Sequence, residues 1–516
     1  MAIARVAGEV AGGLRPDVPG LILPEGIWTD ARNVRFRDGS VEKVRGYERA
    51  LGSLSATSIY GTNINDGATA YWLYAGQTVV YATDGTTHAN VTNLSGTPNA
   101  SLELGFTGGN FHGFAILNDG VGVPQVWDPG LANRCVSLTA WPANVTAQVL
   151  RPFRDQLIAL RITDTGDYNP RELRWSTLAG PGALPDDWDY TDPSNQAGRT
   201  ELGDTDDNLV DCLGLRNSLI VYKQFNTYIA DLVDDDAVFS FRRLFSQSGL
   251  LSENCAVAFG ARHFVVTDCD IIVHDGNSPV SIADQRMRRW FFTRLNANAY
   301  RRTFVMADYR NREIYVCFPE SGQVWPTMAI VWNWSDDSWH IRELGRAMAF
   351  GTNGIVPGTS ALIDADTRTY DDAGEPFDDE SYNPSALRAM LFAAERFDAY
   401  QLDTGETYAG DTMTCYAERT GIGLSNIDLV RIKRIKRIMP RVLGTTGDTI
   451  RFYVGVRSAI DGTVSYLGPY LFTIGQDHKI DLRISGRIID LKAEYLGTST
   501  FRLFGWDIEY EPDGYR

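Results

Sequence analysis

Ile330-Val331-Trp332-Asn333-Trp334, Ser335-Asp336-Asp337-Ser338 and Trp339-His340-Ile341 read, in that order, as a strand, a turn and a returning strand. β-Branched and aromatic residues suit a pleated, half-buried surface, and a short polar run between two such segments makes a hairpin. Phe264-Val265-Val266-Thr267 and Ile271-Ile272-Val273-His274 repeat the design, closed by Asp275-Gly276. Runs at 71–74, 156–162, 218–222 and 313–318 have the same character, with Gly, Asp, Asn and Pro at their borders. Asp-Gly pairs beginning at Asp38, Asp66, Asp84, Asp119, Asp275, Asp461 and Asp513 mark further turns, because glycine reaches positive φ without a steric penalty.

Helical spacing is scarce by contrast. Two short helices are expected, at 284–296 and 384–399, the second from Leu387, Met390, Leu391 and Ala394 following Pro384. Short strands recurring over about 300 residues predict an all-β chain, and that length favours a β-propeller-like platform with inserted loops. The expected organisation is an extended N-terminal segment (1–50), the propeller-like domain (51–353), a polar insertion with a short helix (354–410) and a C-terminal β-sandwich-like domain (411–516). Asp371-Asp372 and Asp378-Asp379-Glu380 make the insertion acidic.

Composition bounds the partners. The 516 residues are 44% hydrophobic and 22% charged, as expected of a chain that folds, and carry a formal net charge of −17. Such a surface repels DNA and anionic membranes, so any DNA partner must slide past and not adhere. No apolar run of about 18 residues predicts a membrane segment, and residues 1–16 lack the apolar core of a secretory signal. Synthesis in a host cytoplasm is expected. The six cysteines are widely spaced without a C-x-x-C, and the six histidines include no H-x-x-x-H pair, so neither disulfide framework, metal centre nor other cofactor is expected.

Four clusters are candidate sites, each with a plainer alternative. Asp234, Asp235 and Asp236 could line a channel or bind an ion, or form a solvated hairpin tip. Asp204-Thr205-Asp206-Asp207-Asn208 has the look of a calcium loop, without the glycine and distal glutamate of an EF-hand. Arg431, Lys433, Arg434, Lys436 and Arg437 form a basic stretch that could grip phosphates or dock a neighbouring subunit or adaptor ring. The intervening Ile432, Ile435 and Ile438 break alternation, which equally fits a bulged strand whose charges meet solvent or carboxylates. Trp325, Trp332, Trp334 and Trp339 could stack sugars or pack between sheets.

The run Ala31-Arg32-Asn33-Val34-Arg35-Phe36-Arg37-Asp38-Gly39-Ser40-Val41, then Gly46-Tyr47, resembles the opening of the tail-nozzle proteins of short-tailed bacteriophages, a family that includes packaged-DNA stabilisation proteins. Arg174-Trp175-Ser176, Gly180, Asp187-Trp188, Ala197-Gly198 and Leu219-Ile220-Val221-Tyr222-Lys223 resemble its centre, and Gly505-Trp506-Asp507-Ile508-Glu509-Tyr510 its close. The resemblance implies a virion tail protein with a β-propeller platform. It further implies a homo-hexameric ring beneath the portal and adaptor rings, with tail fibre or spike proteins as neighbours and genomic DNA passing through without specific binding. It carries no catalytic motif, so the chain is expected not to be an enzyme. The competing reading is a glycan-binding or glycan-hydrolysing propeller. Ser335-Asp336-Asp337-Ser338-Trp339 faintly resembles a sialidase Asp-box, but lacks its glycine and occurs once. No G-x-S-x-G or P-loop supports acyl or phosphoryl transfer.

Overall fold

The 330–341 hairpin is the outer half of a four-stranded sheet, blade 6, made of Phe304–Asp308, Glu313–Phe318, Met328–Asn333 and Ser338–Glu343 in antiparallel chain order. Trp332 faces Trp339 and Asn333 faces Ser338, while Asp337 in the turn takes a φ of 54°. Nearly every residue of the blade is buried, because neighbouring sheets cover both its faces. This computed structural model describes residues 2–514 apart from 8–12, 25, 67–68, 193, 234–237, 358–386, 425–430, 458 and 460–461.

Seven sheets of this kind follow one another. Blades 1 to 5 open with the strands Tyr60–Asn65, Thr107–Phe111, Val145–Phe153, Leu209–Leu215 and Ala256–Phe259, and each runs outward through three further strands. The opening strands of successive blades lie side by side, and that of blade 7, Met348–Gly354, returns to that of blade 1. The ring is a closed seven-bladed propeller. Its core lies in layers between blades. Trp72, Tyr74, Met390 and Phe392 fill the seam of blades 7 and 1, and Leu73, Phe106, Leu117 and Trp127 fill that of blades 1 and 2.

Blade 7 departs from the expected organisation. Its second and third strands, Arg388–Ala393 and Asp398–Leu402, occupy the segment expected to be a helix at 384–399. Every residue from Arg388 to Ala393 is buried, and a continuous apolar run in a strand covered on both faces has the same composition as a short buried helix. The propeller therefore extends beyond 353, with the acidic insertion set between the first two strands of its last blade. The other expected helix exists in shortened form, Arg288–Arg294. The fourth strand of blade 7 is Tyr47–Ser53, with Tyr47 opposite Leu402 and Arg49 opposite Tyr400, so the N-terminal end of the chain closes the ring.

The described residues of the expected N-terminal segment 1–50 are built into sheets and do not form an extended arm. Asp38 and Gly39, both at positive φ, turn Val34–Arg37 into Ser40–Lys43. This hairpin joins Phe501–Pro512, Lys433–Gly444 and Ile480–Gly486 in one sheet, with Ala2–Ala7 also beside Phe501–Pro512. Asp30–Arg32 joins Cys415–Ile422, Ile488–Tyr495, Thr449–Arg457 and Ser465–Thr473 in a second. The two sheets enclose Trp28, Phe36, Ile435, Ile438, Phe452, Leu491 and Trp506, with the Trp28 and Trp506 rings 5.5 Å apart, edge to face. The C-terminal domain is thus a β-sandwich completed by N-terminal strands.

Candidate functional site

Two buried polar clusters tie the molecule together. The first ties the inner ends of the blades. Arg151, from the opening strand of blade 3, donates from Nε and Nη2 to the two carboxylate oxygens of Asp211 in blade 4 at 2.8 and 2.7 Å. Its Nη2 also reaches Asn254 Oδ1, at the entry to blade 5, at 2.7 Å, and Nη1 approaches the Gly108 carbonyl of blade 2 at 3.5 Å. Burial opposes the Asp211 charge, and Arg151 outweighs it, holding the carboxyl below its ordinary value. Blades 2 and 5 stand nearly opposite in a seven-membered ring, so here the inside of the ring is about one side chain wide. A duplex whose major groove alone is about 12 Å across does not pass through it.

The second cluster lies where the sandwich meets the propeller. Asn33, at φ 55°, donates from its backbone N–H to Ile341 O (2.9 Å) and from its side chain to Thr414 O (2.8 Å), while accepting the Glu343 N–H (2.9 Å). It therefore caps the outer edge of blade 6 with the sandwich. Beneath it Arg35 forks onto Glu313 (2.8 and 2.9 Å) and onto Asp403 (2.7 Å). Arg342, fully buried, binds Asp403 (3.0 Å), the Tyr315 hydroxyl (3.1 Å) and the carbonyls of Arg45 (2.7 Å) and Gly46 (2.9 Å) that lead into the closing strand of blade 7. Burial disfavours the Asp403 carboxylate, but the two guanidiniums prevail and hold its pKa well down. Asp308, beside it, is pushed up to about 6 by burial and by Asp403 itself. The four charged partners come from the N-terminal hairpin, two strands of blade 6 and the end of blade 7, a juxtaposition that no local sequence pattern signals.

The sequence candidates fall elsewhere. Asp234, Asp235 and Asp236 lie outside the described residues, and the strands flanking them, Asn226–Leu232 and Phe239–Ser246, are the outer two of blade 4. Asp207 serves as counter-ion to the buried Lys223 (3.1 Å) and accepts the Phe225 and Asn226 amides, while Asp204 accepts the Tyr228 hydroxyl. The basic stretch is a sandwich strand with a bulge between Ile435 and Arg437. Ile435, Ile438 and Lys433 point inward, Lys436 meets Glu511 (2.5 Å), Arg437 meets Glu509 (3.1 Å), and Arg434 is exposed. Arg431, which precedes the strand, is half-buried. Trp332 and Trp339 are core, and Trp325 and Trp334 are half-buried, the former under Arg302 at 4.1 Å, so the four make no exposed stacking platform.

Sequence reasoning also passed over a buried trio between blades 4 and 5. The Tyr222 hydroxyl lies 2.7 Å from His263 Nδ1 and 2.8 Å from His274 Nε2, and His263 Nε2 lies 2.9 Å from Gly214 O. The carbonyl requires a proton on His263 Nε2, so Nδ1 accepts from Tyr222, whose oxygen in turn accepts from His274 Nε2. Burial depresses both imidazoles to about 4 and keeps them neutral. Among the described residues no group of three or more His, Cys, Asp or Glu is placed to hold a metal, and no helix is long and apolar enough to cross a membrane.

No protein-family model matches the chain, and no curated protein matches it. Among solved structures it is similar to the BBS1N domain crystallised with ARL6DN, at 10% identity and a TM-score of 0.39, over 70% of this chain and 97% of that one. It is also similar to the CNH domain of AfRom2 (8% identity, TM-score 0.37, 70% and 99% covered) and the WD40 propeller of Doa1 (9%, 0.36, 69% and 97%).

Proposed function

We propose that this chain is a non-enzymatic structural subunit of a virion, forming the tail-nozzle ring that docks below the portal and adaptor and surrounds the DNA exit path. The observation that carries the reading is where the family-like segments fall. The opening run supplies the hairpin that caps blade 6 and enters blade 7, and the closing run is the sandwich strand Phe501–Pro512 that pairs with that hairpin. These pieces fasten propeller to sandwich, as suits a ring segment that must keep its form while DNA moves past it. Since the blades leave no duplex-wide bore, the exit path belongs between copies, about the axis of a homo-hexamer. Fibre or spike proteins would then attach at its periphery.

The glycan reading is the weaker one, because the tryptophans it relies on are buried or half-buried. Mass photometry and negative-stain class averages of the purified protein, alone and mixed with candidate adaptor rings, test the proposal. A six-fold ring with an open centre is expected, and Arg434→Glu, an exposed change, should weaken assembly or docking while leaving the monomer folded. A monomer that stays solitary with every adaptor overturns it.

A further inference from the structure

A cleft of about 1040 Å³ opens beside the junction, between the sandwich and blades 6 and 7. Five of its basic groups, Arg35, Arg37, Lys43, Arg45 and Arg49, come from the stretch that forms the hairpin and the closing strand of blade 7. Arg310, Arg388 and Arg502 complete it from blade 6, blade 7 and the sandwich. Glu42, Glu48 and Asp403 also line it, and Glu313, Asp398 and Glu406 pair with its cations, so eight basic groups gather with six carboxylates in a chain whose net charge is −17. A concentration of guanidiniums held against the overall field needs an explanation beyond a solvated surface.

Ion pairs account for part of it. Arg35 is held by Glu313 and Asp403, Arg49 by Asp398, Arg502 by Glu42 and Lys43 by Glu406. Arg310 and Arg388 also have partners, which leaves two guanidiniums. Arg45, more than half exposed, comes no closer than 3.9 Å to Glu406, and Arg37 makes only a long contact to the Asn311 carbonyl (3.4 Å), with no carboxylate within 4 Å among the described residues. We propose that the cleft binds a compact polyphosphate group, with Arg37 and Arg45 as its principal contacts.

Size and lining select that chemistry. The volume is that of a small-ligand site, too small for a duplex. Its one aromatic, Phe501, is buried, so single-stranded bases would have no face to stack on. An extended acidic peptide spreads its carboxylates at about one per 3.3 Å of chain. Phosphoryl groups in series bring more charge into the same length, in the geometry that guanidinium forks match.

The test is calorimetric titration of the full chain with tripolyphosphate, with citrate, an octaglutamate peptide and a 20-mer oligonucleotide as comparison arms. One site is expected, with Kd on the order of 10 µM, weakened about tenfold by moderate salt. Arg37→Gln/Arg45→Gln should lose at least about tenfold in affinity with its melting temperature unchanged. Equal binding by this double variant overturns the proposal, as does tighter binding of the peptide or oligonucleotide. If tripolyphosphate binds only after residues 360–384 are replaced by a short Gly-Ser linker, the chain's own acidic segment is the occupant and the proposal fails.

Discussion

Blades 6 and 7 are neighbours with the same four-stranded design, yet they are made in opposite ways. Blade 6 is one uninterrupted stretch of chain with short turns, and its strands can find one another locally. Blade 7 gathers its first strand from one side of the acidic insertion, two from the other side and its fourth from the opposite end of the chain. Non-local pairing of this kind requires loop closure before any contact rewards it. A blade so assembled needs holding from outside, and blade 6 does the holding. Arg342, on the outer strand of blade 6, reaches the carbonyls of Arg45 and Gly46 at the entry to the fourth strand of blade 7 and Asp403 at the exit of its third.

Cutting that grip is the most direct way to break the comparison. Arg342→Ala leaves Asp403 with Arg35 as its one remaining cation beside the Asn311 amide, the Arg45 carbonyl without its donor and the Gly46 carbonyl with the Asp403 N–H only, and should cost about 3–5 kcal/mol in urea denaturation. If blade 7 depends on this hold more than blade 6 does, amides of Tyr47–Ser53 will lose hydrogen-exchange protection before those of Glu313–Phe318. Simultaneous loss in both blades would make the pair one cooperative unit and dissolve the distinction.

A smaller effect probes the seam of blade 7 with blade 1. A Cβ on Gly354 would lie 2.3 Å from the Trp72 ring and 2.5 Å from Asn63 Cβ, both pinned by hydrogen bonds to Ile355. Gly354→Ala should therefore destabilise by about 1–3 kcal/mol. Gly180→Ala, where a Cβ meets nothing within 4 Å, should change stability by less than about 0.5 kcal/mol.

The same contrast explains what the sequence revealed. The hairpin 330–341 was legible because apolar strand, polar turn and apolar return are consecutive, and the Asp38-Gly39 turn because both residues sit at positive φ. Blade 7 was not legible, since 388–393 is apolar at every position and so carries no period, and its fourth strand is sequentially remote. The ionic junction was hidden for a related reason. Arg35, Glu313, Arg342 and Asp403 are ordinary charged residues until the ring closes and places them together.

The finest test concerns Asp308, at the end of the opening strand of blade 6, facing Asp403 from blade 7. Its carboxyl, ordinarily near 3.8, is raised to about 6, so between these values the folded state holds a proton that the unfolded state has released. Stability from this group therefore falls as pH rises from 4 to 6 and is level above. His263 and His274 act in the opposite sense. Depressed from 6.5 to about 4, they contribute stability above pH 6.5 that is lost as pH falls toward 4, so the whole protein shows the two trends superimposed. Asp308→Asn isolates the first. Its amide oxygen still accepts the Arg310 and Asn311 backbone N–H groups, which Asp308 accepts at 3.0 and 3.3 Å, while the bond from Asn311 Nδ2 to Oδ2 (2.7 Å) is lost at every pH. The variant's stability relative to the parent, read from urea midpoints, should rise between pH 5 and pH 7.5. A pH-independent difference would mean that Asp308 titrates as an ordinary carboxylate and that blades 6 and 7 are coupled there by packing alone.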